Sequence, residues 1–445
     1  MQKPSLGFLP AFILGLFINI VLLHLVFTPS AFSQEENVRL TLKVFPRQYQ
    51  AVSQNTYLNK EKILKPDFSH RNKNTYLLKR GEYRITITAH GYYHKTLSIN
   101  LNRDIIREVK LERKNSFIHK IGEIKTGNRP KSVNFNRDSS MLLTSMLAGA
   151  PVVLTTQIPA LKEGKSLQFP KQYKEKGGFV EAAFLPKHKE IWFSQMSTAM
   201  VHAVDSETLN YKYSISTKGN WSKVIEVDHN EQFAYVTNWI SQDISVIDIE
   251  KRKSIARIKT EGIPRGMCLT PDGTYLYVCI FSTGNIQKID TETRKVIHTF
   301  HTGPGAKRHI VIDETHEVFY ISDMAHGTIT TLAYKKDKVL NTSRKIGTNI
   351  NTIALSPDNR FLFVSERGKN NPESYWYKGP AFGRVLVLNP GNMEIVDWTW
   401  GGNQPTGLTV SSDMKYLVFS NFLDYTLEVY DISSLWQGQP TFFTQ

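Results

Sequence analysis

Thirteen histidines, two cysteines and forty carboxylates are the side chains from which chemistry could be built in this 445-residue sequence. Their spacing argues against most of it. There is no His-Glu-x-x-His, no cysteine pair at zinc-finger spacing and no Cys-x-x-Cys-His. His298 and His301 stand three apart on an expected strand and so face opposite sides of it. Asp272 and Asp358 belong to Thr-Pro-Asp-Gly and Ser-Pro-Asp-Asn turns, and Asp248 and Asp290 close strands, where a carboxylate caps the bend. No catalytic residue, metal ligand or cofactor is therefore expected. Cys268 and Cys279 flank the Pro271-Asp272-Gly273 turn. In an oxidising compartment they could pair as a disulfide, and two buried thiols are the other reading, because the strand register is open.

What remains is recognition by cations and aromatic rings. Three groups stand out: Trp239, Arg265, Phe281, Lys307, Arg308, His309, Met324, His326, Arg367, Asn421 and Phe422, at recurring points of a repeat; the run Tyr375, Trp376 and Tyr377; and Lys60, Lys62, Lys65, Arg80 and Arg84, interleaved with tyrosines.

The repeat that must position the first group is clearest from Gly262 to Phe300. Short strands are expected at Met267 to Thr270, Tyr275 to Ile280, Ile286 to Asp290 and Val296 to Phe300, separated by Pro-Asp-Gly, Ser-Thr-Gly-Asn and Thr-Glu-Thr turns. Trp221 to Ile258 repeats that order of strands and turns. Four strands in about forty residues is the pattern of a β-propeller blade. The second strand of the unit recurs seven times, as at Tyr235-Val236-Thr237-Asn238, Tyr320-Ile321-Ser322-Asp323 and Val418-Phe419-Ser420-Asn421. Phe117 to Gly127 looks like the last strand of a unit rather than the first, so it is expected to complete the seventh blade and close the ring. The Tyr375-Trp376-Tyr377 run falls in an insertion that a minimal blade does not need.

Ahead of the repeat, residues 1–33 combine Lys3, an apolar run from Phe8 to Phe27 and small residues at Ala31 and Ser33, the pattern of a signal peptide. If uncleaved, the run is long enough to anchor the chain in a membrane. Residues 34–114 show alternating strands and carry seventeen Lys and Arg against eight Asp and Glu, so most of the net charge of +15 lies there. Residues 115–445 make the propeller.

Gly81-Glu82-Tyr83 and Gly91-Tyr92 resemble the PEGA-type domain, which implies a small immunoglobulin-like β-sandwich. Tyr235-Val236-Thr237-Asn238 resembles the signature of the YVTN repeat family, over about seventy per cent of the chain, and implies a seven-bladed propeller. The pairing of the two resembles the propeller surface antigens of spirochaetes, leptospires above all. That likeness implies outer-membrane or cell-surface residence and contact with host proteins.

The expectation is thus an all-β chain, an immunoglobulin-like sandwich followed by a seven-bladed propeller, exported and monomeric, acting as a non-enzymatic surface binding protein. Its binding mouth would be formed by Trp239, Arg265, Phe281, Arg308, His309, His326, Arg367 and Phe422, with Tyr375, Trp376 and Tyr377 on the insertion. The basic domain suits acidic polysaccharide or acidic proteins of host matrix or plasma. Export makes nucleic acid an implausible partner. A periplasmic envelope scaffold and a propeller hydrolase such as a lactonase are the alternatives.

Overall fold

The structure, a computed structural model, describes residues 37–45, 50–55, 60–64, 74–89, 91–114, 116–127, 129–155 and 165–437. The expected signal segment and Lys65 lie outside them. The chain forms two compact units, Met1–Leu111 and Glu112–Gln445.

The first unit holds a three-stranded and a four-stranded sheet around one core. In Asn37–Phe45, Val38, Leu40, Leu42 and Val44 are buried and Arg39 and Lys43 are exposed, as period-two alternation requires. This strand runs antiparallel to Thr75–Lys79 and parallel to Ile105–Lys110. Tyr83, Ile85 and Ile87 of Gly81–Thr88 face it from the other sheet's contribution to the core.

The second unit is seven four-stranded antiparallel sheets, six of them built in chain order from the inside outwards. The fourth holds Pro264–Leu269, Tyr275–Ile280, Ile286–Asp290 and Lys295–Phe300. The seventh holds Pro405–Val410, Tyr416–Asn421 and Thr426–Asp431, and its outermost place is taken by His119–Lys125. The ring therefore closes on a shared blade, as the sequence leads one to expect, and its two ends are hydrogen-bonded together.

Turn chemistry sets the blades locally. Asp272 accepts from Thr270 Oγ1 at 2.5 Å and Thr274 N at 3.1 Å, and Gly273 takes φ of 72°. Asp358 does the same with Ser356 at 2.7 Å and Arg360 N at 3.2 Å, with Asn359 at φ 62°. Asp290 and Asp248 accept the backbone N–H groups of Thr293 and Lys251 at 2.7 and 2.9 Å. These carboxylates hold turns, as expected.

A recurring hydroxyl joins blade to blade. The third residue of the Tyr-Val-Thr-Asn position donates to a carbonyl on the next blade's innermost strand: Thr237 to Arg265 O at 3.3 Å, Ser322 to Asn351 O at 2.7 Å and Ser365 to Thr406 O at 3.0 Å. Ser194 bonds Lys223 O in the same way. Ser365→Ala is expected to leave the Thr406 carbonyl buried without that donor and to cost about 1–2 kcal/mol. Urea unfolding that leaves the midpoint unmoved would show the latch to be idle.

In the fourth blade Cys279 stands where the others carry this hydroxyl. The register pairs Cys268 with Tyr277 and leaves Cys279 two residues away on the partner strand. Both sulfurs are free thiols, so the disulfide left open by the sequence is not formed. Diagonal neighbours on one face lie beyond disulfide reach without backbone movement. Burial pushes both thiols up, Cys279 to about 12, which makes them inert packing groups.

Candidate functional site

Each blade begins with a register shift. In the fourth, Pro264 pairs with Ile280 but the next pair is Met267 with Val278, and the same break follows the first pair in the second, third, fifth, sixth and seventh blades. The bulges include Lys223, Arg265 and Arg308, which line the channel mouth. Just before the strand, Arg129, Trp221, Asn349 and Gln404 adopt φ of 54° to 62°, a region non-glycine residues seldom occupy, and Trp221 lines the mouth.

The second residues of the innermost strands are Lys131, Lys223, Arg265 and Arg308 in blades one, three, four and five, and Arg367 joins them from the end of a second strand. Together with Trp221, Trp239, Phe281, Met324, Asn370 and Tyr375 they line a cavity of about 250 Å³ at one mouth of the channel. No carboxylate is among the described residues lining it.

Arg265, Arg308 and Arg367 are each at most 6% exposed. Arg308 Nε bonds Asn351 Oδ1 and Arg367 Nη2 bonds Gln404 Oε1. Among the described residues Arg265 has no such amide partner: its Nε and Nη1 are buried without a hydrogen bond, as is Arg367 Nε. Burial holds Lys131 well below the ordinary ammonium range, with Arg308, Arg367, Arg265 and Lys223 pushing the same way. Lys223 is lowered likewise, by burial and then Arg265 and Arg308. Arg367 is brought down to about 10 by burial. The nearby acid is Glu181, whose carboxyl burial raises although Arg265, Lys131, Arg308 and Lys223 all oppose this. Cationic charge thus gathers in an enclosed space with one carboxyl to answer it.

The walls are aromatic. Trp239 and Phe281 lie 5.0 Å apart, and the Lys223 ammonium sits 4.5 Å from the Trp239 ring. The insertion covers the other side: Tyr375 packs on Trp376 at 4.9 Å, Arg129 stacks 4.5 Å over Trp376, and Gln404 Nε2 donates to Tyr375 O at 2.9 Å.

Among the residues expected from sequence, Trp239, Arg265, Phe281, Arg308, Met324, Arg367 and Tyr375 converge on the cavity. Phe422 lies beneath it, 5.1 Å from the Lys131 ammonium. His309 is packed behind, its Nδ1 unpartnered, and burial with Arg265 and Arg308 pushes it down to about 3. His326 does not line the cavity; it is exposed, 3.3 Å from Asp323. Lys307 is committed to Asp323 at 3.1 Å and Thr330 at 2.9 Å. Tyr377 is exposed on the insertion. Lys131, Lys223, Glu181 and Trp221 were not foreseen. Lys131 and Lys223 hold the same repeat position as Arg265 and Arg308, so aligning the innermost strands would have found them.

In the first unit, Lys60 and Lys62 lie on the strand Lys60–Ile63, aligned through Asn55 and Ser53 with Tyr83 and Ile85, one step out of register with Arg84. Arg80 and Arg84 are exposed. At the opposite end of the propeller, a cavity of about 810 Å³ is lined by Asp272, Lys288, Glu314, Lys335 and Asp337 among others. It is larger, but Lys288 already pairs with Asp337 at 2.8 Å and Lys335 with Glu317 at 2.5 Å. The smaller cavity, with its unanswered charge, is the better candidate.

Fold and site together define a seven-bladed β-propeller protein with a cationic, aromatic channel mouth. The family model "Lactonase, 7-bladed beta-propeller" matches residues 187–302. The chain is 37% identical over 362 residues to Antigen Lp49 of Leptospira interrogans serogroup Icterohaemorrhagiae serovar copenhageni, covering 78% of this chain and 77% of that protein. It belongs to the family of that antigen. Uncharacterized protein YwcC of Lactococcus lactis is 25% identical over 246 residues, 49% of this chain and 69% of that protein. A chain of the hydrazine synthase of Kuenenia stuttgartiensis superposes with a TM-score of 0.52 at 20% identity, over 59% of this chain and 80% of its own length, a likeness of fold.

Proposed function

We propose that this is an exported, surface-displayed binding protein that works without catalysis, and that a partner protein engages the propeller mouth through an acidic segment. The observation that carries this reading is the excess of cations over carboxylates at the mouth, with Arg265 Nε and Nη1 buried and unpartnered. The kinship to a leptospiral antigen supports display at the surface. Tyr375, Tyr377, Trp221 and Ile240, all exposed, supply apolar contact around the charge. The basic first unit, whose Arg80 and Arg84 are exposed, offers a second anion-attracting face for acidic host protein or polysaccharide.

Poly-L-glutamate serves as the acidic probe. The full chain is expected to bind it with an affinity that falls at least tenfold between low and physiological salt, and Tyr377→Ala with Trp221→Ala is expected to weaken it. Salt-independent binding, or none, would overturn the reading. Protease added to intact cells should cleave the protein if it is displayed, and leave it whole if it resides behind the outer membrane as a scaffold. The lactonase reading draws on the family match over residues 187–302. Turnover of a simple lactone that is lost in Glu181→Gln would favour it over binding alone.

A further inference from the structure

The partner reading concerns the rim. Beneath it the cavity of about 250 Å³ is too small for a folded segment. At Gly266 an added Cβ would lie 2.8 Å from Arg308 O and 2.9 Å from His309 Cα, and at Gly407 one would lie 2.7 Å from Val133 N. Neighbouring innermost strands therefore meet backbone to backbone at these two glycines, which holds the cavity-lining side chains of successive blades close together.

We propose that this cavity is a receptor site for one small, multiply charged organic oxyanion, a phosphate monoester or a short dicarboxylate, held by Arg265, Arg308 and Arg367 with Lys131 and Lys223 completing the charge. This goes beyond the partner reading, since the ligand is small, free and seated below the rim.

The geometry supplies each part of that class. Guanidinium groups present paired N–H donors that match the oxygens of a carboxylate or phosphate, and three of them face one space. Arg308 and Arg367 are each oriented by an amide, Asn351 and Gln404, so their remaining donors are set in place before any ligand arrives. Arg265 has no such partner, and its Nε and Nη1 are buried donors awaiting an acceptor. A single negative charge would leave most of the five cations unanswered, because no carboxylate is among the described residues lining the cavity and the nearby Glu181 adds at most one charge. Multiple charge follows. Trp239, Phe281 and Tyr375 wall the cavity with apolar faces, which favours an oxyanion carrying a carbon body over a bare ion.

The test is titration calorimetry of the full chain at low salt with two probes, inorganic phosphate and malonate. One-to-one saturable binding of at least one is expected; phosphate alone points to a phosphoryl ligand, malonate alone to a dicarboxylate. Arg265→Met and Lys223→Met are each expected to weaken binding at least tenfold, and Arg265→Lys, which keeps the charge and loses the fork, to weaken it by less. Lys223 lies on the channel surface, so its variant remains informative if Arg265→Met misfolds. Tyr377→Ala should leave both small probes bound as before, which separates this site from the rim. Neither probe saturating in the millimolar range, or wild-type affinity in Lys223→Met, would overturn the proposal whatever poly-L-glutamate does.

Discussion

Glu226→Gln is expected to stabilise the protein by about 3 kcal/mol above pH 7 and to leave it unchanged near pH 4. Glu226 lies on the third blade's innermost strand, Ser222–Val227, where its carboxyl accepts Leu269 N from the fourth blade at 3.1 Å. Burial pushes it from its ordinary 4.5 up to about 7, and the Leu269 N–H offsets this in part. The Cys268 thiol beside it is raised by burial and then by Glu226. Between pH 4.5 and 7 the folded chain holds a proton that the unfolded chain has released. Stability is therefore fullest below 4.5, declines as pH rises through that window, and levels off above 7. Glutamine keeps an acceptor for Leu269 N and never ionises, so its unfolding free energy should not follow that decline. Urea unfolding at pH 4, 6 and 8 decides the matter: a constant difference between variant and wild type would mean that Glu226 is not the titrating group.

The second large effect is expected at the ring closure. Asp397 lies on the sixth blade's outer strand, Ile395–Trp400, and is 2% exposed. It accepts from Arg113 Nη1 at 2.6 Å, Ser116 Oγ at 2.9 Å and Phe117 N at 2.7 Å. Arg113 also lies over the Trp398 ring at 4.7 Å. These bonds fix the segment that leads into His119–Lys125, the strand that completes the seventh blade. Asp397→Ala removes them together and is expected to cost on the order of 3 kcal/mol, the lower end for breaking a buried pair because Arg113 retains some water contact. Arg113→Ala should cost less, since Ser116 and Phe117 remain bonded. Limited proteolysis between residues 112 and 118 should quicken in Asp397→Ala. A loss below about 1 kcal/mol would place the closure elsewhere.

The blades were legible because their signals are local. Pro271-Asp272-Gly273 fixes a turn through its own side chain and φ preference, and the short unbroken apolar run Tyr275–Ile280 marks a strand packed on both faces, buried from Leu276 to Ile280, without reference to distant chain. The closing strand was legible for the same reason: Phe117 to Gly127 has the pattern of an outer strand and no preceding blade to join. The strand bounds moved where the tertiary structure intervened. Pro264–Leu269 begins before the apolar alternation does, because its first residues pair across a bulge and face the channel rather than a neighbouring sheet.

The mouth was legible in part. Arg265 and Arg308 stand out beside turns, while Lys131 and Lys223 look like ordinary surface lysines in their local context. Lys307, adjacent to Arg308, reads as an equal member of the rim and is instead spent inside on Asp323. One residue of offset along a strand changes the face entirely, and the bulge decides which face that is.

The all-β class, the seven repeated units, the strand that closes them and the turns that separate them can all be read from the residues in order. Each of these follows from side-chain period and turn chemistry within about forty residues. Only the tertiary structure decided that Lys131, Lys223, Arg265, Arg308 and Arg367 share one cavity, that Tyr375 and Trp376 flank it, and that Cys268 and Cys279 remain apart. The physical reason is closure: a ring brings the same position of successive blades to one axis, and charges far apart along the chain become neighbours only once the last strand is in place.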